Sequence, residues 1–149
     1  MRVTLLDHTV DPELKIGLSA AICYDAKTDY ESCKKRSRHC RDKGHLSTLR
    51  FAYATFAIED ISRVCSHQLV RMAHAGILQE SQRYVNQSNA SYVTPPSIAK
   101  LADWGDATGY HTCLAHALAV YNDLLSKGIK KEDARYVLPA AFTTKVNLC

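Results

Sequence analysis

HQLVRMAHAGILQESQRYV, residues 67–85, decides how this chain is read. Its first half continues a helical spacing. In DISRVCSHQLVRM, residues 60–72, the side chains of Ile61, Val64, Cys65, Leu69 and Met72 fall on one stripe. Asp60 is the expected N-cap, and Cys65, on the stripe, is expected to be core and not a nucleophile. Gln68 and Arg71, three apart, project from neighbouring points of one surface, and Gly76 permits a break. From Ile77 to Val85 the period changes to two. Gln79, Ser81 and Arg83 then share one strand face, with Leu78, Glu80, Gln82 and Tyr84 on the other. An amide, a hydroxyl and a guanidinium in alternate register suit a phosphate or a pyrimidine edge, since Arg offers a bidentate fork and Ser and Gln neutral bonds. An ordinary polar sheet edge has the same pattern, and spacing alone leaves both readings open.

Outward from this stretch, residues 2–6 read as a short strand, and a helix runs from about Pro12 to Tyr24 after the start signal Asp11-Pro12. Residues 25–44 are a loop or a surface helix. Lys34, Lys35, Arg36, Arg38, Arg41 and Lys43 make its basic run, either a solvated face or a phosphate-collecting rim. Residues 52–58, AYATFAI, read as a strand, and the Asn/Ser/Pro-rich residues 86–98 as a loop. Residues 110–127 form the clearest helix, with Leu114, Ala117, Leu118, Tyr121, Leu124 and Leu125 as its apolar stripe and Gly128 as its stop. His111 and His116 read as surface or packed residues. A short helix, KKEDARYVL, ends at Pro139, and residues 140–149 close the chain as a strand. The expected architecture is α/β (α+β), a mixed sheet with flanking helices in a single domain, 1–149.

A net charge of +4 and a pI of about 8.7 fit a binder of small anions and are too mild to argue for nucleic acid. No apolar run approaches membrane-spanning length, and residues 1–14 lack the apolar core of a signal peptide, so no membrane partner and a cytoplasmic location are expected. Six cysteines without a CxxC pair are expected to be reduced. The group Cys33, His39, Cys40 and His45 has the wrong spacing for a common zinc site and reads as solvated loop residues; no metal is expected. Nucleophile-elbow, HExxH, phosphate-loop and dinucleotide motifs do not occur. Ser81 has no histidine near it in sequence to activate it.

The run GHLSTLRFAYATFAIEDISRVCSHQLVRMAHAGILQESQRYV, residues 44–85, resembles the central region of the flavin-dependent thymidylate synthases. The opening VTLLDHTVDPEL and the late segment YNDLLSKGIKKEDARYVLP are similar to further blocks of that family, in the same order. The resemblance implies synthesis of thymidylate from dUMP, with methylenetetrahydrofolate as carbon donor and electrons from NADPH through FAD. It also implies a homo-oligomer, tetramer or dimer, with active sites at subunit interfaces. The family motif is Arg-His-Arg, seven residues, Ser, then Arg-Tyr.

On this chain the resemblance assigns dUMP to Gln68, Arg71, Gln79, Ser81, Gln82, Arg83 and Arg135, with Ser81 and Arg71 at the catalytic positions. It assigns the flavin to Thr55, Met72, Ala73 and His74. Here the chain departs from the family: Arg-His-Arg reads Arg71-Met72-Ala73, and the usual Glu-His upstream reads Arg50-Phe51. Loss of a cation beside a pyrophosphate removes charge-assisted bonds of about 1.5–3 kcal/mol each. The chain is also expected to lack the family's usual C-terminal segment, whose arginine polarises the pyrimidine. Three readings follow: an active synthase, a degenerate homologue that binds dUMP or a related nucleotide without catalysis, and a nucleotide-modifying enzyme with a changed cofactor site. The substitutions strike only the flavin half, which predicts that dUMP binds while FAD binds weakly.

Overall fold

Asp11 starts the first helix. In the computed structural model, which describes residues 1–102 and 108–149, strand β1 (Arg2–His8) is followed by helix α1 (Pro12–Ile22). The Asp11 carboxylate accepts the Leu14 N–H at 3.1 Å, and Pro12 occupies the first turn, where its missing N–H costs nothing. Helix α2 (Tyr30–Asp42) begins the same way, with the Asp29 carboxylate accepting from Ser32 N at 3.0 Å. A 3₁₀ turn (Leu46–Phe51) then leads into strand β2 (Ala54–Ser62).

The chain groups into two compact units: Thr4–Phe56 with Cys149, and Met1–Val3 with Ala57–Leu148. In the first, Ile16, Gly17, Ala20 and Ala21 of α1 are buried, as are Cys33, Ser37 and Cys40 of α2. Gly17 meets the Cys33 backbone so closely that an added Cβ would overlap it. The segment read as a loop or a surface helix is therefore a helix. Cys33 and Cys40 are core residues and not solvated loop residues, because seven residues is two helical turns and puts both on the inward face. The basic run is largely structural. Lys34 pairs with Asp11 at 3.4 Å, Arg38 with Glu13 at 2.9 Å, and Arg36 donates to the carbonyls of Gly17 and Lys27 at 3.1 and 2.9 Å.

The other unit carries helix α3 (Arg63–Leu69), strand β3 (Ile77–Gln79), helices α4 (Pro96–Ala102), α5 (Thr108–Ser126) and α6 (Lys131–Ala134), and strand β4 (Thr143–Leu148). The sheet has the order β1-β2-β4-β3, and β3 is antiparallel to β4 with Leu78 opposite Asn147. Helices with such a sheet give the α/β class expected. On α5, Leu114, Ala117 and Tyr121 are buried; Leu114 and Ala117 form a core with Phe142, and Tyr92 and Tyr110 pack against it. His111 is packed, its Nδ1 2.9 Å from the Tyr92 hydroxyl, while His116 is exposed. Among the described residues no helix is long and apolar enough to cross a membrane.

Four local expectations are corrected. Strand β2 runs on through Asp60 (φ 57°) and Ile61 to Ser62, so α3 starts three residues later and Ser62, not Asp60, is its cap. The expected apolar stripe also fails: Ile61 is buried, but Val64, Cys65 and Met72 are exposed, because Ser66 is the α3 residue turned inward. The strand expected over residues 77–85 ends at Gln79. The loop over residues 86–98 gives way to α4 at Pro96.

Two outcomes follow. Gly17→Ala should lower the urea midpoint by the equivalent of about 1–3 kcal/mol, the usual cost of overpacking. The second concerns acid. The Leu14 N–H holds the Asp11 carboxyl below its usual range, Arg38 does so for Glu13, and the Ser32 N–H for Asp29. A depressed folded-state carboxyl contributes stability that is complete above its unfolded value, about 4, and lost as pH falls through the folded value. Circular-dichroism melts should therefore show the Thr4–Phe56 unit weakening below about pH 4, less steeply in Asp11→Asn.

Candidate anion-binding site

The site is assembled from the point where β2 becomes α3. The first-turn N–H groups of a helix have no partner within it. Here Arg63 N donates to Phe142 O and Val64 N to Ala140 O, both at 3.1 Å, and the Ser62 hydroxyl accepts Cys65 N at 3.1 Å. Ser66, fully buried, donates from Oγ to Arg63 O at 3.0 Å. The Gln79 amide donates from Nε2 to Ser66 Oγ at 2.8 Å and reaches Thr144 Oγ1 at 3.3 Å. Gln79 thus turns inward and ties α3, β3 and β4 together.

The backbone leaves the ladder at Glu80, whose N–H goes to Lys145 O at 2.9 Å. Residues 81–84 then turn. The Ser81 carbonyl accepts from Tyr84 N and Val85 N at 3.2 and 2.9 Å, and Ser81 Oγ accepts from Arg83 N at 3.3 Å. Gln79, Ser81 and Arg83 consequently do not share a strand face, because Ser81 offers the backbone a local alternative to the sheet. Within the turn Gln82 is buried, and its Nε2 meets no acceptor among the described residues. Arg83 and Tyr84 are exposed.

Arg83 Nη2 lies 3.3 Å from Glu132 Oε2, and the Glu132 carbonyl accepts from Arg135 Nε at 3.1 Å. Lys131 Nζ donates to the Tyr84 carbonyl at 2.9 Å. Two arginines far apart in sequence are therefore gathered around one residue. Arg83 and Glu132 border a cleft of about 530 Å³ whose walls also include Tyr84, Ile129, Lys130 and Lys131. A more polar cavity, about 450 Å³, lies along Glu80, Gln87 and Thr144 and has no arginine in its lining.

Arg63 was missed in the sequence reading. Its Nη1 is buried without an acceptor among the described residues. Burial holds its pKa below the usual arginine value; the positive charge of Arg135 adds to this and Glu80 opposes it. The available signal was an arginine between Ile61 and Val64, two positions of the expected apolar stripe. The other expected residues stand elsewhere. Gln68 is exposed on α3, and Arg71, Met72, Ala73 and His74 are exposed in the turns beyond it. Arg71 thus lies outside the helix it was expected to share with Gln68, because α3 ends at Leu69. Thr55 lies on β2 in the Thr4–Phe56 unit. Met72 and Ala73 offer a thioether and a methyl where a flavin pyrophosphate needs cations, so these two positions do not fit that group.

A family model described as thymidylate synthase complementing protein matches residues 4–148. The flavin-dependent thymidylate synthase of Pyrococcus furiosus is 35% identical, aligned over 98% of this chain and 64% of that protein. The enzyme of the same description from Geobacter sulfurreducens is 37% identical, over 98% and 66%. The chain thus spans about two thirds of the length of these relatives, slightly less in both cases. Among solved structures, thymidylate synthase X from Helicobacter pylori with FAD and dUMP matches with a TM-score of 0.72 at 21% identity, covering 99% of this chain and 77% of that one. A UMP/dUMP methylase from Streptomyces cacaoi bound with 5-Br dUMP gives 0.74 at 20% identity, covering 99% and 72%. At these identities the structural likeness establishes the fold.

Two substitutions separate the roles of the buried polar groups. Gln79→Leu leaves Ser66 and Thr144 without their partner and should cost about 1–3 kcal/mol in chemical denaturation. Arg63→Met removes a buried donor that lacks an acceptor and should instead raise stability by about 1 kcal/mol in the same assay.

Proposed function

The chain belongs to the thymidylate synthase complementing protein family, and on that premise we propose that it serves flavin-dependent thymidylate synthesis. The reaction is reductive methylation of dUMP to dTMP, with methylenetetrahydrofolate as carbon donor and NADPH and FAD as the electron source. One observation carries the reading for this chain: Arg83 and Arg135, which the family resemblance assigns to the same nucleotide, meet around Glu132. Relatives named as flavin-dependent thymidylate synthases, and folds solved with dUMP or its bromo analogue, support the same substrate class.

The proposed roles are those of this chain's own side chains. Arg83 and Arg135 take the nucleotide phosphate through charge-assisted bonds. Arg63, with its unpartnered Nη1, adds a third cation to the same requirement. The Gln82 amide, buried and without an acceptor, offers a donor to a pyrimidine carbonyl. Ser81 keeps its hydroxyl hydrogen for the substrate, since its oxygen accepts from Arg83 N. Gln68, on α3, and Arg71, just beyond it, present an exposed amide and guanidinium that the resemblance assigns to dUMP. FAD supplies the electron transfer in this family. Thr55 and His74 remain at positions the resemblance gives to it, while Met72 and Ala73 bring it no charge. A homo-oligomer, dimer or tetramer, is part of the proposal; exposed Val64, Val70, Met72 and Leu78 support a contact surface. A cytoplasmic site of action fits the free thiols.

Calorimetric titration with dUMP should give a saturable isotherm, and Arg83→Ala should weaken it by at least about tenfold, or 1.4 kcal/mol. The absence of heat up to millimolar dUMP would overturn the nucleotide reading. Growth of a thymidine-requiring strain carrying this chain tests the full reaction, and flavin absorbance of the purified protein tests cofactor retention. Tight yellow protein would show that Met72 and Ala73 do not weaken the flavin site.

A further inference from the structure

We infer that Glu132 and Lys131 form a clasp that positions the anion-binding arginines, with Glu132 as its positioning residue. This rests on the nucleotide reading above. Glu132 touches both arginines by different atoms: its carboxylate pairs with Arg83 at 3.3 Å, and its backbone carbonyl accepts from Arg135 Nε at 3.1 Å. Lys131, one residue earlier, donates to the Tyr84 carbonyl at 2.9 Å, so adjacent residues grip the Arg83-Tyr84 tip of the turn by a side chain and by the backbone.

The turn needs such a grip. Its own hydrogen bonds converge on Ser81, at its start, and the Arg83 side chain is about half exposed. An exposed arginine samples many rotamers, and ordering one on ligand binding costs conformational entropy. A partner in the free protein removes part of that cost in advance. Arg83 uses Nη2 for Glu132, and its planar fork has further N–H donors for a phosphate. Glu132 does not neutralise the cleft, because Arg83, Lys130 and Lys131 line it against this single carboxylate. The carboxylate therefore aims a cation and does not stand in for the ligand.

The test uses the purified full chain with Glu132→Ala and Glu132→Asp, titrated with dUMP and, separately, with deoxyuridine, which lacks the phosphate. Glu132→Ala should weaken dUMP about five- to tenfold and leave deoxyuridine unchanged, and Glu132→Asp should restore most of the dUMP affinity. Equal losses for both ligands would mean a general structural role, and tighter dUMP binding would mean that Glu132 competes with the phosphate; either result overturns the inference. A second readout needs no nucleotide. The ¹⁵N–¹Hε resonance of Arg83 should be sharp in the parent chain, broadened in Glu132→Ala and recovered in Glu132→Asp. An unchanged resonance overturns the clasp whatever dUMP does. A responsive resonance with no dUMP heat overturns the nucleotide reading and leaves the clasp standing.

Discussion

Two backbone hydrogen bonds, Arg63 N to Phe142 O and Val64 N to Ala140 O, are the constraint on which the rest of the site-bearing unit depends. A helix of seven residues has little stability of its own, and α3 forms because its first-turn donors find carbonyls on the segment entering β4. That docking places Ser66 in the interior, where Gln79 reaches it and Thr144 together. Once the Gln79 amide is fixed, the chain has one direction in which to leave β3, and the Ser81–Tyr84 turn swings toward α6. Arg83 meets Glu132 at the end of this sequence of constraints.

Much of the fold was legible in the residues because local and tertiary preferences agree. Asp11-Pro12 starts α1 as read, the stripe from Leu114 to Tyr121 is the buried face of α5, and Gly128 adopts the positive φ (82°) of a helix stop. The failures have particular causes. A period of two over residues 77–85 cannot reveal that β3 sits at the sheet edge beside β4 and loses it after Gln79. Ser62 and Asp60 are both good caps, and sheet pairing through Ile61 decides between them. The spatial grouping of the polar residues expected to take a nucleotide was not legible. Gln79 was expected beside Ser81 and Arg83 and instead holds the framework, whereas Glu132, which joins Arg83 to Arg135, carries no signal of its own in the sequence.

The departures from the family pattern fall on one kind of surface. Met72 and Ala73, like Arg50 and Phe51, are exposed, so a substitution there disturbs no packing. Gln79, Ser81 and Gln82 are at least partly buried, and Gln79 and Ser81 are hydrogen-bonded. Stability alone therefore protects part of the nucleotide half, most clearly Gln79. It does not protect Arg83, which is exposed and whose ion pair with Glu132, 3.3 Å long and open to water, is worth little to the fold. Packing does not account for an arginine there; the proposed anion binding would.

The electrostatics point the same way. Arg135 stands near enough to Arg63 to disfavour the Arg63 charge, with Glu80 as the opposing carboxylate, and Arg63 Nη1 is left buried without an acceptor among the described residues. Like charges near one another and an unmet donor both cost stability in the free protein. A fold selected only for stability would replace Arg63 by an apolar residue of similar length. In the proposed reading, a doubly charged phosphate would offset these penalties by accepting from the unmet donor and compensating both cations. On that proposal the instability around Arg63 would be returned as binding free energy for an anion, the trade expected where function and stability compete for one position.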